Sequence, residues 1–259
     1  MKYQILGPLR IIDQNISLPI SAPKMERILA TLLMRSNQVV SSAQIIEEIW
    51  GERPPRRATA AVHVYISQLR KLLNRAANAD AGTPSPIVTV SPGYLLRVGP
   101  DDLDMFVFQR LLRDGRAHML DGEYHEADRV LEAALGLWRG PALSRLCEGP
   151  IVGGHVAGLE EERLECIEMR IEAQLRIGRH RAVVSELHGL IAEHPLNERF
   201  YGQLMRALHL SERRSDALRI YQRAREVINR ELGLEPGPML REVHGEVLAD
   251  DERYLKSAV

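Results

Sequence analysis

The sequence predicts a mainly α chain with small β elements (α+β), built in two parts that differ in charge and in period. Three observations lead there. Short β-branched and aromatic runs broken by turn residues occur at the start of the chain and again near residue 90, and from residue 104 onward the apolar residues fall at helical spacing. Residues 1–99 hold 12 Lys+Arg against 6 Asp+Glu, a balance of +6, whereas residues 100–259 hold 22 against 29, a balance of −7; the net charge of −1 conceals the two. The second part also carries internal similarity, with Val183 and Ala217 in equivalent places 34 residues apart.

Taken in order, Tyr3 to Gly7, Leu9 to Ile12 and Ile16 to Ile20 read as three short strands, broken by Gly7-Pro8 and by Asp13-Gln14-Asn15. A small antiparallel sheet is expected. Beyond Pro23, Ile28, Leu29, Leu32 and Leu33 predict a helix over Lys24 to Arg35, ended by Ser36-Asn37. A second helix is expected from Ser42 to Trp50, with Ser41 and Gln44 forming a capping box and Ile45, Ile46 and Ile49 facing inward. Gly51 stops it.

Pro54 to Arg75 is the centre of the first part. Pro54-Pro55 ends what precedes and can pre-set a first helical turn, and good helix formers follow without Gly or Pro. Val62, Ile66, Leu69 and Leu73 make one apolar stripe. The opposite side carries Ala60, Val64, Ser67, Gln68 and Lys71, small or hydrogen-bonding residues where a solvated helix would mix Glu with Lys. No carboxylate occurs from Arg53 to Ala79, while Arg53, Arg56, Arg57, Arg70, Lys71 and Arg75 are all present. Such a helix suits a polyanion. It matches what a DNA groove asks for: Gln pairs bidentately with adenine, Val or Ala touches a thymine methyl, and flanking cations hold phosphates. The bland reading of the same residues is a core helix with a basic outer face.

Asn78 to Pro86 reads as a loop, and Ile87 to Val90 with Tyr94 to Val98 as a hairpin turning at Ser91-Pro92-Gly93. Strands, three helices and a closing hairpin, in that order, give a winged helix-turn-helix over residues 1–99. The patterns VHVYISQLRKLL (Val62 to Leu73) and VTVSPGYLL (Val88 to Leu96) resemble the winged-helix DNA-binding domain of OmpR-type response regulators. The opening ILGPL (Ile5 to Leu9), the segment IWGERPP (Ile49 to Pro55) and a helical second part resemble, more narrowly, the Streptomyces antibiotic regulatory protein family of activators, over residues 1 to about 250.

The resemblance implies that the third helix lies in the major groove, that the wing reaches the adjacent minor groove, and that Gly51, Glu52, Arg53 and Pro54 face RNA polymerase. Carried over residue by residue, Val64 and Gln68 fall on base-reading positions, and Tyr65 and Arg70 on phosphate-contacting ones. Response regulators often carry Arg where this chain has Gln68. With Arg57, Thr59, His63, Ser67 and Lys71 on the helix, and Ser91 and Arg97 in the wing, these make the expected DNA-binding set. The resemblance further implies binding to direct repeats in double-stranded DNA upstream of secondary-metabolite promoters, with two protomers side by side.

Beyond Gly99-Pro100, Asp101 to Asp104 reads as an acidic hinge into an all-α, tetratricopeptide-like domain over residues 100–250, with a short tail at 251–259. The similarity is carried by Gly122-x-Tyr124-x-x-Ala127, Gly178-x-His180-x-x-Val183 and Glu212-x-Arg214-x-x-Ala217, with Pro195 where a repeat closes. The first two copies are 56 residues apart, and Trp138 to Pro141 with Ile151 to His155 are expected as an irregular insertion. Within the resembled family this part is the bacterial transcriptional activation domain, whose LERELG-like endings resemble Asn229 to Gly233.

An enzyme finds little support: GxxxxGK, HExxH, GxSxG and GxGxxG are all missing from the sequence. Gly153-Gly154 precedes an expected helix and is read as a plain turn rather than an anion cradle. His188 and His194 are six apart and do not share a helix face, so no metal is expected, and no cofactor either. Cys147 and Cys166 lack a CxxC context and are expected as buried reduced thiols. Glu160, Glu161, Glu162, Glu165 and Glu168 read as a solvated acidic face, or as a contact for a basic partner or for the positive first part. No receiver precedes the winged helix, so phosphorylation of an Asp is not expected. No apolar stretch approaches the ~20 residues of a membrane span, and a cytoplasmic, nucleoid-associated protein is expected. Two other readings stand beside the activator: a repeat scaffold whose winged helix docks protein, and a ligand sensor with a pocket between the parts.

Overall fold

The computed structural model describes residues 1–14, 16–20, 22–76 and 85–257, with side chains except at 75, 76 and from 250 onward. Asn15 of the first turn, residues 78–84 of the expected loop, and residues 258–259 of the tail lie outside the described residues. The architecture is mainly helical with two small sheets, as the sequence predicts. Contacts divide the chain into two compact units: 1–113 with 133–165, and 114–132 with 166–259.

In the first unit, β1 (Lys2–Gln4), β2 (Arg10–Asp13) and β3 (Ile16–Leu18) form an antiparallel meander with Tyr3 opposite Ile11 and Ile11 opposite Leu18. Then come α1 (Pro23–Met34), β4 (Val40–Ser41), α2 (Ser42–Trp50), α3 (Ala58–Ala76), β5 (Ile87–Val90) and β6 (Gly93–Leu96). The second sheet runs β4-β6-β5, antiparallel throughout. Strand β4 carries no local signal, because two residues show no period; its pairing with β6 decides it. Gly93 is required there by close approach: a Cβ would lie 1.9 Å from the Val40 carbonyl oxygen. Ile28, Leu29, Leu32 and Leu33 of α1 and Ile45 of α2 are wholly buried, each contributing about 1.5–3 kcal/mol by leaving water. The Ser41–Gln44 capping box is present in full.

Several expectations change in this unit. Helix α3 begins at Ala58, because Pro54-Pro55 is followed by a turn and not by the first turn of the helix: Arg56 and Arg57 lie in that turn, closed by the Ala58 N–H on the Pro55 carbonyl at 3.0 Å, and the Ala61 N–H on the Arg57 carbonyl opens the helix. On α2, Ile46 is only half-buried, and Glu48 goes into the core at 2% exposure. Its carboxylate accepts the N–H groups of Ile151 (2.7 Å) and Val152 (3.1 Å), capping α6 (Pro150–Arg176) at its first turn. Ile151 to His155, with Gly153-Gly154, is therefore helix rather than insertion or turn, nucleated by a cap from another element that no local residue announces.

Asp101 to Asp104 is an anchor rather than a hinge. The Asp104 carboxylate, at the start of α4 (Asp104–Leu120), accepts the N–H groups of Ile5 (2.8 Å) and Leu6 (3.2 Å) and pairs with Arg139 at 3.2 Å. Burial pushes its pKa up, against those hydrogen bonds and the guanidinium, which pull it down. The Tyr3 N–H bonds the Asp102 carbonyl at 2.6 Å. Glu160 accepts the Ala142 N–H at 3.1 Å and Glu162 the Gln109 amide at 3.1 Å, so this part of the acidic face serves the unit's own interior rather than solvent.

The second unit contains α7 (His180–Glu193), α8 (Glu198–His209), α9 (Arg214–Leu232) and α10 (Pro238–Ser257), with parts of α4, α5 (Tyr124–Leu135) and α6. The three similar segments form the same turn. Gly122, Gly178 and Glu212 have φ of 75°, 82° and 63°. The next residue's N–H reaches back five residues in each: Glu123 to His118, Arg179 to Gln174 and Arg213 to Leu208, all at 2.9 Å. This is the left-handed cap that lets one helix end and the next begin. Ala127, Val183 and Ala217 are each wholly buried beneath it. Glu168 belongs here and is likewise engaged, by the Asn197 amide at 2.8 Å and Arg199 at 3.3 Å. Cys166 is buried, while Cys147 of the first unit is only half-buried, less than expected; neither is in a disulfide.

Candidate nucleic-acid interface

Helix α3 has two faces set by its own spacing. Ala58, Val62, Ile66, Leu69 and Leu73 are buried. Thr59, His63, Val64, Ser67, Gln68 and Lys71 are exposed, in a single stripe at i, i+4 and i+3 steps, with Val64 at 54%. Tyr65 is half-buried at the edge of that stripe. Arg56 and Arg57 are exposed just before the helix.

The wing is held against α3 by Arg70. Its Nε donates to the Ile87 carbonyl at 3.0 Å, an Nη donates to Thr89 Oγ1 at 2.7 Å, and the guanidinium lies 5.9 Å from the centre of the Tyr94 ring. His63 meets the same ring edge-on, with centroids 6.4 Å apart. Arg70, expected as a phosphate contact, is thus occupied in fixing the angle between helix and wing. At the wing tip Ser91 is exposed, and Arg97 is exposed at the far end of β6 with its N–H on the Pro86 carbonyl at 2.9 Å.

Asn37 was legible only as a helix stop. In the structure it has φ 63° and its side chain ties down the backbone just beyond β6: its amide accepts the Val98 N–H at 3.0 Å and donates to the Val98 carbonyl at 2.9 Å. Glu48 is announced in the sequence only by its phase with Ile45 and Ile49, which marks a carboxylate turned toward a buried partner. Gly51, Glu52, Arg53 and Pro54, between α2 and α3, are all exposed. Lys24 lies 4.9 Å over the Trp50 ring that precedes them. Among the described residues there is no cluster able to hold a metal ion, and no helix long and apolar enough to cross a membrane.

Comparison with known proteins gives two family matches: "Transcriptional regulatory protein, C terminal" at residues 18–96, and "Bacterial transcriptional activator domain" at residues 103–248. The regulatory protein DnrI of Streptomyces peucetius is 36% identical over 253 residues, covering 97% of this chain and 93% of that protein. The transcriptional regulator RedD of Streptomyces coelicolor is 37% identical over 252 residues, 97% of this chain and 71% of RedD. The solved structure of Mycobacterium tuberculosis EmbR in complex with a low-affinity phosphopeptide superposes with a TM-score of 0.91 at 33% identity, over 96% of this chain and 65% of that one. With an exposed helix and wing in a winged-helix unit, a run of helical hairpins, and relatives matched along almost its whole length, the chain belongs to the Streptomyces antibiotic regulatory protein family of transcriptional regulators.

Proposed function

We propose that the protein is a sequence-specific DNA-binding activator that reads direct repeats near promoters of a secondary-metabolite cluster and recruits RNA polymerase. One observation carries it: the exposed, carboxylate-free stripe of Thr59, His63, Val64, Ser67, Gln68 and Lys71 on α3, flanked by Arg56 and Arg57. A helix of this width fits the major groove, and these side chains match the donors, acceptors and methyl groups displayed there. Lys71 and Arg57 neutralise phosphates and set the register. Ser91 and Arg97 carry the wing's contribution, which a single cation keeps small.

The DNA-binding domain is taken to end at residue 99, where the charge balance reverses, and the activation domain to run over 100–250. The exposed loop Gly51 to Pro54 supports its assignment as a polymerase contact, together with the helical domain. Two protomers would occupy adjacent repeats, in the cytoplasm and on the nucleoid. The test is to titrate the full chain with DNA flanking its own coding sequence and with random DNA, at several salt concentrations. Preference for one flanking sequence by about 10³-fold or more, with log affinity falling linearly in log salt, is expected. Equal affinity for both DNAs, or no salt slope, would sink the reading.

A further inference from the structure

The first unit has a cleft of about 680 Å³ between α2, α4 and the first turns of α6, a volume in the range of those that enclose small molecules. Every residue bordering it belongs to that unit. Arg35, just past the end of α1, lines the cleft and is half-buried. Its Nε is buried without a hydrogen-bond partner; its two terminal nitrogens stay accessible, and among the described residues no carboxylate or carbonyl meets them. A guanidinium is always charged, and one partly withdrawn from water without a counterion is costly. The floor of the cleft is also kept open against local preference. Gly154 and Gly158 lie one turn apart on the cleft side of α6, with open space where a Cβ would stand, although glycine is among the poorest helix formers.

The neighbouring polar groups are held in place by bonds of their own. Gln44 turns its Oε1 to the Ser41 N–H at 3.0 Å, which leaves its amide nitrogen free to donate. His155 gives its Nδ1 proton to the Ile151 carbonyl at 2.8 Å, and Glu162 accepts the Gln109 amide at 3.1 Å. Glu47 is exposed and has no partner among the described residues. Arg35 therefore asks for an acid group, but a simple anion would sit beside two carboxylates, Glu47 and Glu162, and be repelled by them. A ligand that also brings a protonated amine turns that repulsion into attraction. Met105, Leu159 and Ile151, whose N–H Glu48 holds, add an apolar wall. We propose that the cleft binds a small zwitterion with an apolar body, its acid group on Arg35 and its ammonium toward Glu47 and Glu162. Such binding is independent of DNA reading and is measured without DNA.

The probes are phenylalanine, with acid and amine on one carbon, and 6-aminohexanoate, with them at the two ends of a short chain. Each is titrated by calorimetry into the full chain beside controls of single charge: N-acetylphenylalanine and phenylalaninamide for the first, hexanoate and hexylamine for the second. One zwitterion or both should bind one equivalent, at least about tenfold more tightly than the matched controls. Arg35→Met should abolish that binding yet unfold in urea no earlier than wild type, since no internal partner is lost. Gly158→Leu, a change that favours the helix, should fill the cleft and abolish binding too. A control that binds as tightly as its zwitterion would reduce the site to one charge, and would overturn the proposal. So would the absence of binding by either zwitterion at millimolar concentration, binding that survives Gly158→Leu and therefore lies elsewhere, or earlier unfolding of Arg35→Met, the mark of an internal counterion.

Discussion

At Gln68 the proposed interface rests on an amide that is exposed on the outer stripe of α3. Gln68→Ala should relax preference at one base pair by about 1–3 kcal/mol, seen as a flattened position in a binding-site selection; an unchanged profile would remove Gln68 from base reading. Lys71→Ala should weaken binding to every sequence alike and reduce the salt slope by about one; a sequence-selective loss would contradict the phosphate assignment. Arg70 is a different case. With two hydrogen bonds into the wing, Arg70→Ala should destabilise the fold by about 1–2 kcal/mol in urea unfolding without DNA. A purely electrostatic role would leave that stability untouched.

Among the elements, the repeated turns and the α2 to α6 clasp are the informative ones. Glu212 holds φ 63° where the other two copies have glycine, and an L side chain in that region costs about 1–2 kcal/mol. Glu212→Gly should therefore stabilise the protein by about 0.5–1 kcal/mol, whereas Gly178→Ala should cost about as much; thermal unfolding of both variants gives the signs. The Glu48 carboxylate accepts two N–H groups of α6 while almost wholly buried. Glu48→Ala should cost about 2–3 kcal/mol, since both donors lose their partner, and a neutral result in urea unfolding would show that water replaces the carboxylate.

For the whole molecule, stability should depend on pH through His244, whose ring stacks on Tyr221 with centroids 3.8 Å apart. Burial holds its pKa below the ordinary histidine value of 6.5, so the fold favours the neutral ring and binds fewer protons than the unfolded chain. That contribution is present above pH 6.5 and is lost as pH falls through the lowered native value. His244→Phe keeps the stack and should flatten this part of the profile, as differential calorimetry between pH 7.5 and acid would show. A wild-type profile in the variant would assign the dependence elsewhere.

By itself the sequence determined the helices with strong period, the Ser41–Gln44 cap, the hairpin turn, the exposed stripe of α3 and the equivalence of Gly122, Gly178 and Glu212, because each is written in residues a few places apart. Only the tertiary structure decided that Glu48 starts α6 (103 residues away), that Asp104 holds the backbone of Ile5 (99 away), that Val40–Ser41 is a strand, and that Arg70 belongs to the wing. In those places one polar group satisfies another across the fold, and a pairing between distant residues leaves no period, propensity or turn chemistry in the chain to read.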